Sequence, residues 1–287
     1  MGYRNSRRII DLGVGVGFRY PHYDEVLTTW PDVDWFEVIS DNFFGEGGAP
    51  LARLDALRAH YPVVPHGVSM SLGSVDPLDP NYLQRLSQLL RRIDPPWFSD
   101  HLCWSGAHGV FAHDLFPLPQ TEACVAHVVE RIKRIQGTLE RPIALETVSS
   151  YVAFASNAMP EWEFLASVAE KADCGLLFDV NNVYVSAKNH GLSAEAYVDA
   201  IPADRVVQIH LAGHTDKGTH LLDTHSDHVN DDVWDLYRRT LRRTGPVATL
   251  IEWDEDIPAW SVLYEEARKA RAVRDEVFAA DALAGQP

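Results

Sequence analysis

Short apolar runs alternate with segments whose apolar positions recur every three or four residues, and the alternation repeats eight times. The runs at 9–18, 35–40, 63–72, 97–105, 142–148, 174–183, 205–212 and 247–253 are rich in β-branched and aliphatic residues, as buried parallel strands are. The segments between them predict helices near 21–30 and at 50–60, 80–93, 119–139, 160–172, 193–201, 231–243 and 258–278. Val125, Val128, Val129, Ile132 and Ile135 show the helical spacing clearly. Proline follows Asp79 and Met159 where helices should start, and Gly137 and Gly245 lie at or near helix ends.

Eight strand–helix units in 287 residues predict an α/β fold, a closed (β/α)8 TIM barrel rather than an open doubly wound sheet. The expectation is a single TIM-barrel domain over 1–287, with a core of about 9–278 and a C-terminal tail, DALAGQP, that frays. Gly13, Gly15 and Gly17 lack the spacing of a dinucleotide fingerprint and are read as close packing at the first strand.

Polar residues fall in a telling place. Six apolar runs end in a potential metal ligand: His66, His101, Glu146, Asp179, His210 and Glu252. All strand ends of a barrel share one face, so residues far apart in sequence converge there. Period-2 alternation puts Gln208, His210 and Ala212 on one side of the seventh strand, and Leu250, Glu252 and Asp254 on one side of the eighth. A lone histidine at a strand end is ordinarily a hydrogen-bonded core residue. Buried carboxylates without partners are costly, and a metal is the simplest partner shared by three carboxylates and three imidazoles.

The stretch from His210 to His228 adds further candidates. It carries histidines at 210, 214, 220, 225 and 228 and aspartates at 216, 223 and 227. Asp223 and His225 are the preferred ligand pair, His214 and Asp227 come next, and His220 and His228 are read as surface residues. Cys103 shares strand parity with His101 and is read as a small buried thiol.

A formal charge of −16 argues against nucleic acid as a partner, since phosphate binding needs a basic footprint. Three cysteines give no disulfide framework, and no long apolar run predicts a membrane span or signal core, so a cytoplasmic location is expected. Mixed imidazole and carboxylate ligation suits iron, manganese or zinc.

The segments PHGVSMSLGS, SDHLCWS, LETVSSY, FDVNNVYVSAKNHG, IHLAGH, DTHSDHV and IEWDEDIP resemble the multinuclear non-heme iron-dependent oxidative enzymes, relatives of the xylose-isomerase-like barrels that modify ribosomally made precursor peptides. The resemblance spans roughly residues 9–260. It implies about two or three iron ions in mixed Fe(II)/Fe(III) states, O2 as co-substrate, and a cysteine of the precursor peptide as the usual target. It also implies a separate partner protein that presents the peptide's leader. Carried onto this chain, the ligand positions are His66, His101, Glu146, Asp179, His210, His225 and Glu252, with Glu146 bridging and Glu146, His101 and His210 central to catalysis. Asn182 matches a further ligand position, which it reaches only if the strand has ended before it. Asp227 is the implied companion of a third ion, and Ala212 stands where some members carry an acidic residue, leaving His214 or Asp223 to compensate. Phe43, Phe44, Trp104, Tyr184 and Trp253 either line a peptide groove or pack the barrel top.

Two other classes compete: a divalent-metal sugar isomerase or endonuclease on the same kind of barrel, and a non-catalytic metal-binding scaffold. O2 consumption tied to a peptide mass change separates the first reading from both.

Overall fold

The computed structural model describes residues 2–284, with side chains through 280. Eight parallel strands close a barrel: β1 (Val14–Gly17), β2 (Trp35–Ile39), β3 (Val63–Gly67), β4 (Phe98–His101), β5 (Ile143–Glu146), β6 (Gly175–Asp179), β7 (Val206–Leu211) and β8 (Ala248–Ile251). Neighbours in sequence are neighbours in space, and β8 returns to β1 through Val14↔Thr249 and Val16↔Ile251.

Alternation along each strand divides the interior into two layers. Trp35, Val64, Trp97, Ala144, Leu177 and Leu250 form one buried apolar cluster, joined by Tyr3 of the helix Tyr3–Arg7. Two residues further along the same strands stand Glu37, His66, Glu146, Asp179 and Glu252, all buried. The lower layer keeps water out from beneath the upper one. A second and larger cluster packs the outward strand faces against the helices.

The predicted helices are present, and their ends follow the expected chemistry. Asp79 accepts from the Asn81 amide at 2.8 Å ahead of Pro80, and Thr121 caps Glu122–Leu139 through the Cys124 amide at 3.2 Å. The glycines of β1 are explained by contact: a Cβ on Gly15 would stand 2.5 Å from the Trp35 carbonyl oxygen.

Three local differences from the sequence pattern matter. The fourth strand stops at His101, and a hairpin of Trp104–Ala107 and Val110–Phe116 follows. Its turn, His108-Gly109, has positive φ at both residues, and both amides donate to Asp76 at 2.9 and 3.0 Å. The sixth strand stops at Asp179, not 183, because Asp179 caps a helix, Val180–His190, by accepting from the Asn182 amide at 2.7 Å. The last helix runs Trp260–Ala284, so the first four residues of the tail expected to fray are helical; Gly285, Gln286 and Pro287 lie outside the described residues.

Two glycines test this packing. Gly15→Ala is expected to lower unfolding free energy by about 1–3 kcal/mol, as overpacking against backbone does. Gly137→Ala, whose Cβ would meet nothing within 4 Å inside a helix, is expected to raise it by about 0.5–1 kcal/mol. Thermal or denaturant unfolding of both variants checks the pair.

Candidate metal centre

Register brings the ligand-type residues together. His101 pairs with Glu146 across β4 and β5, Asp179 pairs with His210 across β6 and β7, and His66 pairs with Ser99 across β3 and β4. Six of the expected residues thereby meet at the C-terminal mouth, and His225 joins them from the loop after β7. His66 Nε2 and His101 Nε2 lie 3.4 and 3.5 Å from Glu146 Oε2. His210 Nδ1 lies 3.8 Å from Glu146 Oε1, 3.9 Å from Asp179 Oδ2 and 2.8 Å from Glu252 Oε2. His225 Nε2 lies 3.7 Å from Asp179 Oδ2, and its Nδ1 lies 3.2 Å from Glu252 Oε2 and 3.6 Å from Asp254 Oδ2.

The outer atoms fix which ring nitrogens face inward. His101 Nδ1 donates to the Gly67 carbonyl at 3.1 Å, and His66 Nδ1 pairs with the Ser99 hydroxyl at 2.9 Å. Both rings therefore turn Nε2 toward Glu146. Burial holds His66 well below the usual histidine range and His101 at about 4, so both are neutral with free lone pairs. Burial pushes the Glu146 carboxyl well up, and that of Asp179 up to about 7. In the other half of the site, burial opposes charge but opposite charges outweigh it. His210 is raised by Glu252, Glu37 and Glu146, His225 by Asp223, and Glu252 is held well down by His210 and His225. A cation entering here would displace those imidazole protons.

Asn182 stands in the first turn of the helix that Asp179 caps. Its side-chain amide donates to Glu146 Oε1 at 3.3 Å and to the Thr147 carbonyl at 3.1 Å. Asp223 reaches His225 Nε2 at 2.8 Å. Asp227 does not join the cluster: it is exposed, its carboxylate accepts from the His228 amide at 2.7 Å, and its backbone packs on Gly213. Asp254 takes the place beside His225 instead. His214 is bonded to Asn181 and Asn230, His228 to Glu266 at 2.7 Å, and His220 is exposed. Cys103 is a buried thiol pushed well up by burial. Phe43, Tyr184 and Trp253 are buried in the core, with Phe44 and Trp104 packed against it, so these aromatics pack the barrel top.

Sequence reasoning missed the groups that support the ligands. Glu37 Oε2 lies 3.0 Å from His210 Nε2 and accepts from Gln208 Nε2 at 2.6 Å, while Gln208 Oε1 accepts from Trp97 Nε1 at 2.8 Å. This chain of fully buried groups orients His210 with Nδ1 toward the cluster. Arg19 donates to Asp254 Oδ1 at 2.7 and 2.9 Å and to Glu252 Oε1 at 3.3 Å. The signal for Glu37 was present: a single charge inside the otherwise apolar run WFEVI.

A cavity of about 260 Å³ opens above the cluster. Asp114 and Leu115 of the hairpin, Tyr151, Asp223 and Glu255 form its rim. Three overlapping groups below it could hold metal ions: His66, His101 and Glu146; Glu146, Asp179, His210 and Glu252; and His225, Glu252 and Asp254.

Glu37→Gln keeps volume and removes the charge behind His210. It is expected to weaken metal affinity roughly 10–100-fold, as loss of a carboxylate behind a ligating histidine does. A competitive chelator titration checks this; unchanged affinity would remove Glu37 from the support of the site.

The comparisons with known proteins agree on family and fold. The family model for the RiPP precursor modification enzyme MbnB/TglH/ChrH matches residues 13–275. A UPF0276 protein of Anaeromyxobacter sp. (strain Fw109-5) is 56% identical over 275 residues, 96% of each chain. One from Caulobacter vibrioides (strain NA1000 / CB15N) is 51% identical over 261 residues, 91% of this chain and 93% of its own. Among solved structures, an L-ribulose 3-epimerase superposes with a TM-score of 0.66 at 12% identity, covering 95% of this chain and 98% of its own. Endonuclease IV from Thermus thermophilus gives 0.61 at 14%, covering 93% and 100%. At such identities these two show the barrel alone. Among the described residues no helix is long and apolar enough to cross a membrane. The match over nearly the whole chain, with the buried histidine and carboxylate groups inside it, makes this protein a member of the RiPP precursor modification enzyme family MbnB/TglH/ChrH.

Proposed function

We propose that this chain is an iron- and O2-dependent enzyme that oxidises a ribosomally made precursor peptide, at cysteine, and that it works as one catalytic domain. The observation that carries the metal part is a set of buried atoms without hydrogen-bond partners. Glu146 Oε2 and Asp179 Oδ2 are out of water and belong to one cluster, whereas His210 Nδ1 and His225 Nε2 each face a carboxylate oxygen at 2.8 Å. Buried carboxylate oxygens left without a partner are rare in folded proteins, and a cation satisfies both. The donor set, imidazole with carboxylate and no thiolate, fits iron.

His66, His101, Glu146, Asp179, His210, His225 and Glu252 would hold the ions, with Asn182, Asp223 and Asp254 beside them. Iron, when bound, supplies one-electron redox steps and a place for O2. The protein's own contribution is geometric and electrostatic. Glu146 stands between the His66/His101 pair and His210, as a bridging carboxylate must. Glu252 stands likewise between His210 and His225. Arg19, bonded to Glu252 and Asp254, offsets part of the negative charge at the edge of the site. Tyr151 accepts the Asp223 amide at 2.9 Å through its hydroxyl and so pins the loop that carries His225 to the cavity rim. A peptide substrate follows from the family, and a separate protein presenting its leader completes the reading.

Metal content is the first test. Protein purified without air is expected to carry about two or three iron ions per chain. Elemental analysis giving one zinc and no iron, from cells with ample iron, would overturn the iron assignment.

Intact-mass spectrometry of a co-expressed precursor peptide is the second. His101→Ala, His210→Ala and Glu146→Gln are each expected to abolish the mass change, whereas His220→Ala, at an exposed residue, leaves it nearly intact. Modification of a peptide whose cysteines are replaced by serine would sink the cysteine target. Sugar interconversion without O2, with every candidate peptide unchanged, would favour the isomerase alternative.

A further inference from the structure

A second cavity lies beside the metal centre, and two strips of chain connect them. It is about 410 Å³, larger than the metal cavity. Val152, Pro160, Trp162, Ala187, Leu192 and Tyr197 give it a largely apolar wall. The carboxyl of Glu161, facing Tyr197, is pushed up to about 7 by burial, which reduces the charge on that wall.

The first connection is the loop after β5. Ser149 and Tyr151 line the metal cavity, and Ser150 and Val152 line the apolar one. The second is the helix Val180–His190, which presents Asn182, Ser186 and His190 on one face at intervals of four. Asn182 lines the metal cavity, whereas Ser186 and His190 line the apolar one. Hydrogen bonds join loop and helix along their length: Ser149 Oγ to Asn182 Oδ1 at 3.0 Å, the Ser150 amide to Ser186 Oγ at 2.9 Å, and His190 Nε2 with Ser150 Oγ at 3.1 Å. The two cavities are thus held in a fixed relation.

The surface over this track is apolar as well. Tyr151, Val152 and Leu192 are 44%, 58% and 54% exposed, and they are three of the eight large hydrophobic side chains most exposed among the described residues. Clustered exposure of this kind marks a binding surface.

Resting on the peptide-modifying function proposed above, we infer that the apolar cavity is a specificity subsite for a large apolar side chain of the precursor peptide. The spacing follows from the helix. Eight residues from Asn182 to His190 rise about 12 Å at 1.5 Å each. An extended peptide covers that length in about three or four residues, at about 3.3 Å each. The anchored side chain therefore sits about three or four residues from the one presented to the metal centre. An aromatic or branched aliphatic group suits this largely apolar wall.

The test is calorimetric and needs no turnover. Synthetic peptides pair a cysteine with a tryptophan or an alanine across one to six glycines, in both chain directions, and bind the metal-loaded protein under argon. With two or three intervening glycines, the tryptophan peptide is expected to bind about tenfold more tightly than its alanine counterpart. Val152→Asp and Leu192→Asp, at exposed positions where the fold tolerates charge, are expected to remove that advantage and leave alanine-peptide affinity unchanged. Equal binding of both peptides at every spacing overturns the subsite, as does a preference that survives both substitutions. Because no O2 is present, failure of the oxidative chemistry leaves this result standing. Cysteine oxidation in air without any tryptophan preference would overturn the subsite alone.

Discussion

Four imidazoles and four carboxylates lie out of water at one end of this barrel: His66, His101, His210 and His225 with Glu37, Glu146, Asp179 and Glu252. Leaving even one such carboxylate charged and unpaired costs several kcal/mol. Protons alone solve the problem unevenly. One half of the site keeps neutral imidazoles beside a carboxyl that burial drives toward protonation. The other half stores positive charge on His210 and His225 against Glu252. Arg19 is the fixed cation in contact with the cluster, and its bonds to Asp254 and Glu252 hold it at the edge. Glu146 Oε2 and Asp179 Oδ2 are left without hydrogen-bond partners at the centre, an arrangement that a multivalent cation would resolve.

The barrel makes that concentration of polar groups tolerable. Most strands lay an apolar side chain below and a polar one above, two residues apart, as Val64 and His66 or Leu177 and Asp179 do. The lower layer is continuous, with Trp35 and Trp97 as its largest members, and Trp97 also donates to Gln208 behind His210. Packing and ligand orientation are therefore the same structure seen at two heights. A shift of one residue in any strand would exchange His66 or Glu146 for an outward-facing neighbour, so the register is held by the burial of both layers.

This division explains what could be read from the chain. Strand ends at His66, His101, Glu146, Asp179, His210 and Glu252 were legible because period-2 alternation and barrel closure are general rules. Asn182 was legible only through resemblance, since its approach depends on Asp179 ending the strand and capping a helix. Alternation put Asp254 on the side of Glu252 but did not mark it as a companion of His225, and loop geometry turns Asp227 outward and Asp254 toward His225. Glu37 and Arg19 escaped, and Gln208 was placed on the His210 face without its supporting role, because support is a matter of three-dimensional neighbours. Arg19 meets Asp254 across 235 positions of sequence, a separation that no local pattern spans. The hairpin escaped because its strands pair only with each other and bury little apolar surface.

The barrel itself says little about chemistry, since a sugar epimerase and an endonuclease share it. In this chain the groups able to hold a cation overlap. Glu146 belongs both to the group with His66 and His101 and to the group with Asp179 and His210, and Glu252 belongs both to that second group and to the one with His225 and Asp254. Carboxylates shared in this way make the three groups adjacent, so that ions held in them would be bridged neighbours and would exchange charge through a common ligand. A single catalytic ion needs no such sharing. The chain instead encloses its shared carboxylates on every side but one, and the remaining side is the cavity that Tyr151 and the hairpin border. The proposed peptide would reach the cluster from that side, laying an extended segment across the rim so that one side chain descends toward the shared carboxylates while its neighbours stay above them.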